Sequence, residues 1–371
     1  MHILLAPDSF KESLSAKQVA EALKKGFQEA LPDATFDLLP IGDGGEGTMD
    51  TLAGVLNLTK KHTQVTGPFG KPVSMAYYRK DEMAFFEMAS LVGLGSIPAE
   101  KRNPLELETR GIGELILQLV DQGVKTICVG IGGSATNDGG IGIAAGLGVA
   151  FYDDQGHLLR PVGASIGRVA RIDTSAVPKA LQDIELQVLT DVTNPLCGSQ
   201  GATYIFGGQK GLNPLLFPAV DQAMQDFYQL ADARILSMPS AGAGGGMAAG
   251  LVAFAGGQIS SGIEKSLDLI DFNHKVQKAD LVVVGEGRMD LQSLSGKAPV
   301  GVAKRTPEKI PVIAICGSLA EDLPAFPSHH IEAAFSIVPV PCEVADALAH
   351  AERNLISCAR NIGNLLKIKA N

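Results

Sequence analysis

The chain has 371 residues, 46% hydrophobic and 19% charged, with 43 glycines and no tryptophan. That balance excludes a disordered or fibrous polymer and suits a glycine-rich α/β protein of two domains. A formal net charge of -9 argues against nucleic acid or an acidic membrane surface as partner, while a local basic cluster could still take a small anion.

The first six residues form an apolar run that reads as a strand rather than a signal peptide. Ser15 followed by Gln18 is a capping box, and Val19, Ala20, Leu23 and Phe27 fall on one face of the helix it opens, with Pro32 as the stop. Residues 36–41 predict a second strand, and the glycine-rich turn 42–47 leads into a helix through Leu52, Val55 and Leu56. Breakers concentrate at 66–73, Thr-Gly-Pro-Phe-Gly-Lys-Pro-Val, which predicts a crossing into another domain. The middle, 69–278, has a different texture. It holds short β-rich pieces at 75–78 and 83–88, a helix closed by Gly123, strands at 125–131 and 186–190, and a small-residue helix at 247–255. From residue 279 the α/β rhythm returns with strands at 281–284, 312–316 and 334–338 and a helix near 297–304. In the last helix Val344, Leu348, Ala351, Leu355, Cys358, Ile362 and Leu366 recur three or four apart, predicting one long core-facing stripe. Two strands at the start and three at the end make one parallel sheet, so the reading is a discontinuous flavodoxin-like domain, 1–68 with 279–371, carrying an inserted α/β domain, 69–278.

Polar residues gather where these strands end. In Gly130-Ile-Gly-Gly-Ser-Ala-Thr-Asn-Asp-Gly-Gly the turn exposes backbone N–H groups, and Ser134, Thr136 and Asn137 add donors for phosphate or carboxylate oxygens. Asp138 implies a cation or a substrate hydroxyl beside them. The bland alternative is a turn whose polar residues cap the next helix. Residues 42–47, Gly-Asp-Gly-Gly-Glu-Gly, match the dinucleotide fingerprint in form. Asp43 and Glu46 would sit where a pyrophosphate belongs, however, so they suit a hydrated magnesium ion, held by Asp43, or substrate hydroxyls. Asp8, Ser9 and Lys11 follow the first strand, and Glu286, Arg288 and Asp290 another, with Lys297 opening the next helix. Arginine offers a planar fork to an anion and lysine a point charge. Asp191 and Asn194 close the 186–190 strand, as a proton acceptor and its orienting neighbour or as an Asn-Pro turn. The seven histidines and five cysteines have no zinc-ligand spacing, no GxSxG elbow is present, and an odd cysteine count without CxxC suits a reducing cytoplasm.

Taken together, Ala6-Pro-Asp-Ser-Phe-Lys-Glu-Ser-Leu-Ser, Gly132-Gly-Ser-Ala-Thr-Asn-Asp-Gly-Gly and Gly285-Glu-Gly-Arg-Met-Asp resemble the type-1 glycerate kinase family, nearly end to end. The resemblance implies phosphoryl transfer from ATP, with Mg2+ held mainly through ATP, to D-glycerate, by a flavodoxin-like domain with a second domain inserted. A homo-oligomer is left open. The residue types agree, because phosphoryl transfer needs positioning and charge neutralisation more than covalent help. On this reading Asp191, Arg288 and Lys297 are catalytic, with Asp191 the base ahead of Asp290 and Asp138, because an apolar strand before it would desolvate it and raise its pKa. The remaining strand-end residues bind substrate or nucleotide from both domains. A nicotinamide-dependent oxidoreductase using residues 42–47 and a non-catalytic metabolite-binding protein are the rival readings.

Overall fold

The computed structural model describes every residue except 43, 44, 46, 295 and 371, with side chains left out at 369 and 370. The chain divides into two compact units, Met1–Asp43 with Asp50–Asn57 and Gly262–Asn371, and Gly44–Met49 with Leu58–Ser261.

The first unit is built on a five-stranded, wholly parallel sheet in the order Ala333–Ser336, Val312–Cys316, Leu281–Gly285, His2–Pro7, Thr35–Leu38. Numbered along this unit alone the order is 2-1-3-4-5, the flavodoxin-like arrangement, whose switch point lies between His2–Pro7 and Leu281–Gly285. Both strands are buried almost throughout, as their unbroken apolar sequences require of a sheet covered on two faces. On one face Val19, Leu23 and Phe27 of helix Ala16–Ala30 pack with Leu355, Ala359 and Ile362 of helix Ala351–Ala370 over Ile3 and Leu5. Helix Ala298–Arg305 lies against the same two strands. The capping box forms as read: Ser15 Oγ accepts from Gln18 N–H, and Gln18 Oε1 from Ser15 N–H.

The terminal stripe needs correction. Val344–Ala349 is a separate short helix with no buried residue, and the core-facing helix begins only at Ala351. The break falls at His350, whose Nδ1 lies 2.8 Å from the Asp346 carbonyl, so the apolar spacing runs through a junction that periodicity cannot detect.

The second unit holds a six-stranded mixed sheet. Gln258–Ser261, Glu185–Thr190, Thr126–Gly130 and Met83–Glu87 run parallel, and Pro72–Lys80 and Thr59–Thr66 continue it antiparallel. The breakers at 66–73 are therefore a hairpin turn, closed by Gly67 N–H to Lys71 O at 2.7 Å, with strands on both sides. The chain passes from the first unit to the second at 57/58 and returns at 261/262, with Gly44–Met49 also in the second. Helices Arg110–Asp121 and Met247–Ala255 contribute Ile112, Leu115, Ile116, Met247 and Leu251 to the core of this sheet. Among the described residues no helix is long and apolar enough to cross a membrane.

Candidate functional site

In the first unit the loops leaving the two switch-point strands meet over one cavity of about 500 Å³. Asp8, Ser9 and Lys11 reach it from the end of His2–Pro7, and Glu286 and Arg288 from the end of Leu281–Gly285, with Lys297 from the N-cap of Ala298–Arg305. This is where open parallel sheets bind ligands, because neighbouring chain connections part there and leave a crevice. The loops are held by the backbone. Asp8 N–H donates to Gly285 O at 2.8 Å, and Gly317 N–H to Glu286 O at 3.0 Å. A Cβ at Gly317 would strike the Gly287 carbonyl oxygen, so only glycine lets these strand ends lie side by side. Asp8 Oδ1 accepts from Ser9 N–H at 2.6 Å. Lys11 and Arg288 are exposed and Lys297 is half-buried, which leaves their charges available to an anion in the cavity.

Asp290 is not among the residues lining that cavity. Its Oδ1 accepts from Gln292 N–H, Ser293 N–H and Ser293 Oγ, capping the short helix Leu291–Leu294. Burial pushes its pKa up, but these hydrogen bonds and the Lys297 charge outweigh that and hold it below the usual carboxylate range. Asp43 and Glu46, together with Ser295 beside Lys297, lie outside the described residues. Among the described residues no group of three His, Cys, Asp or Glu is placed to hold a metal ion.

The second unit treats the glycine-rich loop after Thr126–Gly130 differently from the expectation. Ser134, Thr136, Asn137 and Asp138 are all buried, and their side chains bond to the surrounding protein. Asp138 accepts from Thr109 Oγ1 at 2.6 Å and from Gly140 N–H at 3.0 Å. Asn137 Nδ2 donates to Thr203 Oγ1 at 3.0 Å, while its Oδ1 is buried with no hydrogen-bond partner among the described residues. Only Gly132 and Gly133 of this loop reach the surface, so any anion there meets backbone N–H groups before side chains.

At the centre of this network stands Lys210, which the sequence reading passed over. Its Nζ donates to Ser134 Oγ at 2.9 Å and to Thr136 O at 2.7 Å. Gly245 must be glycine beside it, since a Cβ there would collide with Thr136 O and come within 3.0 Å of Lys210 Nζ. Burial drives Lys210 down to a pKa of about 7, against the opposing pull of Asp138. Burial likewise raises Asp138, countered by Thr109, the Gly140 and Gly142 N–H groups and Lys210. The available signal was a lysine flanked by glycines, Gly207-Gly208-Gln209-Lys210-Gly211, in an apolar neighbourhood. Glu87 was also missed. Its carboxylate accepts from the N–H groups of Gly47 and Met49 at 3.1 and 2.8 Å, fastening residues 47–49 to this unit.

Asp191 is exposed just past the buried strand Glu185–Thr190, and is not desolvated by it as expected. Asn194 Nδ2 donates to Gln200 O at 2.9 Å, holding the turn that follows.

The glycerate kinase family model matches residues 3–367. A glycerate kinase from Neisseria meningitidis serogroup B is 56% identical over 368 residues, 99% of each chain. A glycerate 2-kinase from Escherichia coli K12 is 40% identical over 375 residues, covering 99% of this chain and 98% of that one. The crystal structure of a proposed glycerate kinase 2 from Salmonella typhimurium LT2 superposes with a TM-score of 0.87 at 41% identity, over 100% of this chain and 99% of the other.

Proposed function

The chain belongs to the glycerate kinase family, phosphotransferases with an alcohol acceptor, and we propose that it transfers the γ-phosphoryl group of ATP, supplied as the magnesium complex, to D-glycerate. The products are phosphoglycerate and ADP. The observation that carries this reading is the convergence of Lys11, Arg288 and Lys297 with Asp8 and Ser9 on one cavity at the switch point of a parallel sheet. Phosphoryl transfer asks for such an arrangement. Charge spreads over the oxygens of the transferred group, and fixed cations stabilise it without covalent chemistry. The phosphates and the glycerate carboxylate are anionic, and the hydroxyls of glycerate suit acceptors such as Asp8 and Ser9.

No described cluster would hold magnesium by protein ligands alone, so the ion is treated as part of the nucleotide substrate. The proton of the attacking hydroxyl passes to Asp191 in this proposal. Asp138 is sealed inside its unit and Asp290 is engaged as a cap, whereas Asp191 is accessible at a strand end. Asn194 fixes the turn beyond it, and Ser134, Thr136, Asn137 and Asp138 shape the loop that presents Gly132 and Gly133. A family of phosphotransferases leaves no place for the nicotinamide reading of residues 42–47.

The relative named glycerate 2-kinase supports the 2-hydroxyl as the acceptor. Phosphorus NMR of the product made from D-glycerate and MgATP tests both levels at once. Phosphorus on C2 couples to one carbon-bound proton and gives a doublet; phosphorus on C3 couples to two and gives a triplet. A triplet moves the acceptor to the 3-hydroxyl, and no glycerate-dependent ADP release overturns the proposal.

A further inference from the structure

We infer that the cavity of the first unit is the nucleotide site, with the purine base of the donor against an apolar wall formed by residues 337–351 and its phosphates at Lys11, Arg288 and Lys297. This rests on the kinase reading above and goes beyond it, since that reading leaves both substrates equal claims on the cavity.

The cavity has a lining of two kinds. The loops at the strand ends bring Asp8, Ser9, Lys11, Glu286, Arg288 and Lys297 to its lining, and the segment 337–351 brings the aliphatic Ile337, Val338, Val344, Ala347, Leu348 and Ala351. A three-carbon hydroxy acid is polar on every side and has no surface to offer six aliphatic side chains. A nucleotide has both kinds of surface, with a flat, largely apolar base at one end and a polyanion at the other. The volume of about 500 Å³ falls within the ~300–1,000 Å³ of pockets that enclose a ligand of that size.

The helix that supplies the wall points the same way. Val344–Ala349 buries none of its residues, and Val344 is 73% exposed. Its apolar spacing continues that of the core-facing helix after it, yet the segment turns off at His350 and lines the cavity instead. Its position is fixed relative to the cationic lining, because Ser13 Oγ, on the loop that carries Lys11, donates to Leu348 O at 2.8 Å. The base-binding wall and a phosphate-binding lysine are thus tied by one hydrogen bond.

The test uses the full-length enzyme and the fluorescent nucleotide mant-ADP, with inorganic tripolyphosphate as a competitor that has no base. Ala347→Trp fills the space at the apolar wall, and Val344→Asn makes that wall polar at an exposed position where folding is not at risk. Each is expected to weaken mant-ADP binding and raise KM for ATP about tenfold, the effect of losing roughly one well-buried apolar contact. The affinity for tripolyphosphate and KM for D-glycerate should stay within about twofold. Lys297→Ala should weaken mant-ADP and tripolyphosphate together. The assignment is overturned if the wall variants raise KM for glycerate while nucleotide affinity holds, or if neither affinity moves. Because mant-ADP binding is read without acceptor, a wild-type protein that binds it but does not phosphorylate D-glycerate defeats the acceptor assignment and leaves this one standing.

Discussion

Lys210 Nζ lies 2.9 Å from Ser134 Oγ inside the second unit, with the lysine only 3% exposed and Asp138 close enough to act on its charge. A buried ammonium on a glycine-bounded loop is costly to desolvate, and here it holds two points of the loop after Thr126–Gly130. The sign of its effect on stability follows from its pKa of about 7, below the ordinary value of 10.5. Between these two values the unfolded chain keeps the proton that the native state has lost, so stability rises with pH across that window. The contribution is full above 10.5 and lost as pH falls through about 7. Urea midpoints of the wild type minus those of Lys210→Met should therefore climb from pH 7 toward pH 9. A difference flat in pH would mean that Lys210 titrates normally.

Asp138→Asn puts an amide where Thr109 Oγ1 and the N–H groups of Gly140 and Gly142 all donate. An amide keeps one acceptor oxygen and brings an NH₂ group against donors, and Lys210 loses its nearby negative charge. Leaving a buried hydrogen-bond donor without its acceptor typically costs about 1–3 kcal/mol. The variant is expected to lose that much in denaturant unfolding, and a loss within about 0.5 kcal/mol, the range of neutral surface changes, would show the network to be dispensable.

These two residues mark a limit of the sequence reading. The loop was legible as a special place because glycine, small hydroxyls, an amide and a carboxylate follow an apolar strand, but composition does not say whether such side chains face a ligand or the surrounding protein. Burial decides that, and it depends on Thr109, Thr203 and Lys210, all distant in sequence. The cavity of the first unit was easier. Asp8, Ser9 and Lys11 lie within four residues of the end of one strand and Glu286 and Arg288 within three of another, and parallel strands deliver their carboxyl ends to one edge, so placing the strands places the residues. Local rules served where chemistry is local, as at the Ser15–Gln18 capping box. They do not decide at 66–73, where the same breakers suit a linker or a hairpin and only the pairing of Val65 with Val73 chooses, and they failed at His350, where the three-four spacing continues through a helix junction.

Arg288→Lys tests the cationic lining of the first cavity. Arg288 is exposed there and sits on the two-residue strand Arg288–Met289, paired with Ser318–Leu319, so the substitution leaves the fold intact. Lysine keeps the charge and loses the planar fork, a change expected to lower kcat/KM by roughly 10- to 100-fold if the guanidinium makes a bidentate contact. Unchanged kinetics in a folded variant would remove Arg288 from the site.

Asp191 carries the last test. A loose, metaphosphate-like transition state takes little help from proton removal until late in the transfer. A base at this position is then expected to act near the low end of the usual range for general-base catalysis, so Asp191→Asn should lower kcat about 100-fold at saturating MgATP and D-glycerate. ATP affinity should be unchanged. Loss of ATP affinity, restored in part by added magnesium, would assign Asp191 to the metal-nucleotide complex instead. A kcat near wild type would exclude Asp191 as the base, and neither rival carboxylate could then inherit the role. Asp138 is enclosed by Thr109 and the backbone of residues 140–142, and Asp290 is held by three hydrogen-bond donors with its pKa below the usual range. The proton would go directly to the transferred phosphoryl group or to water, and catalysis would rest on the cations alone.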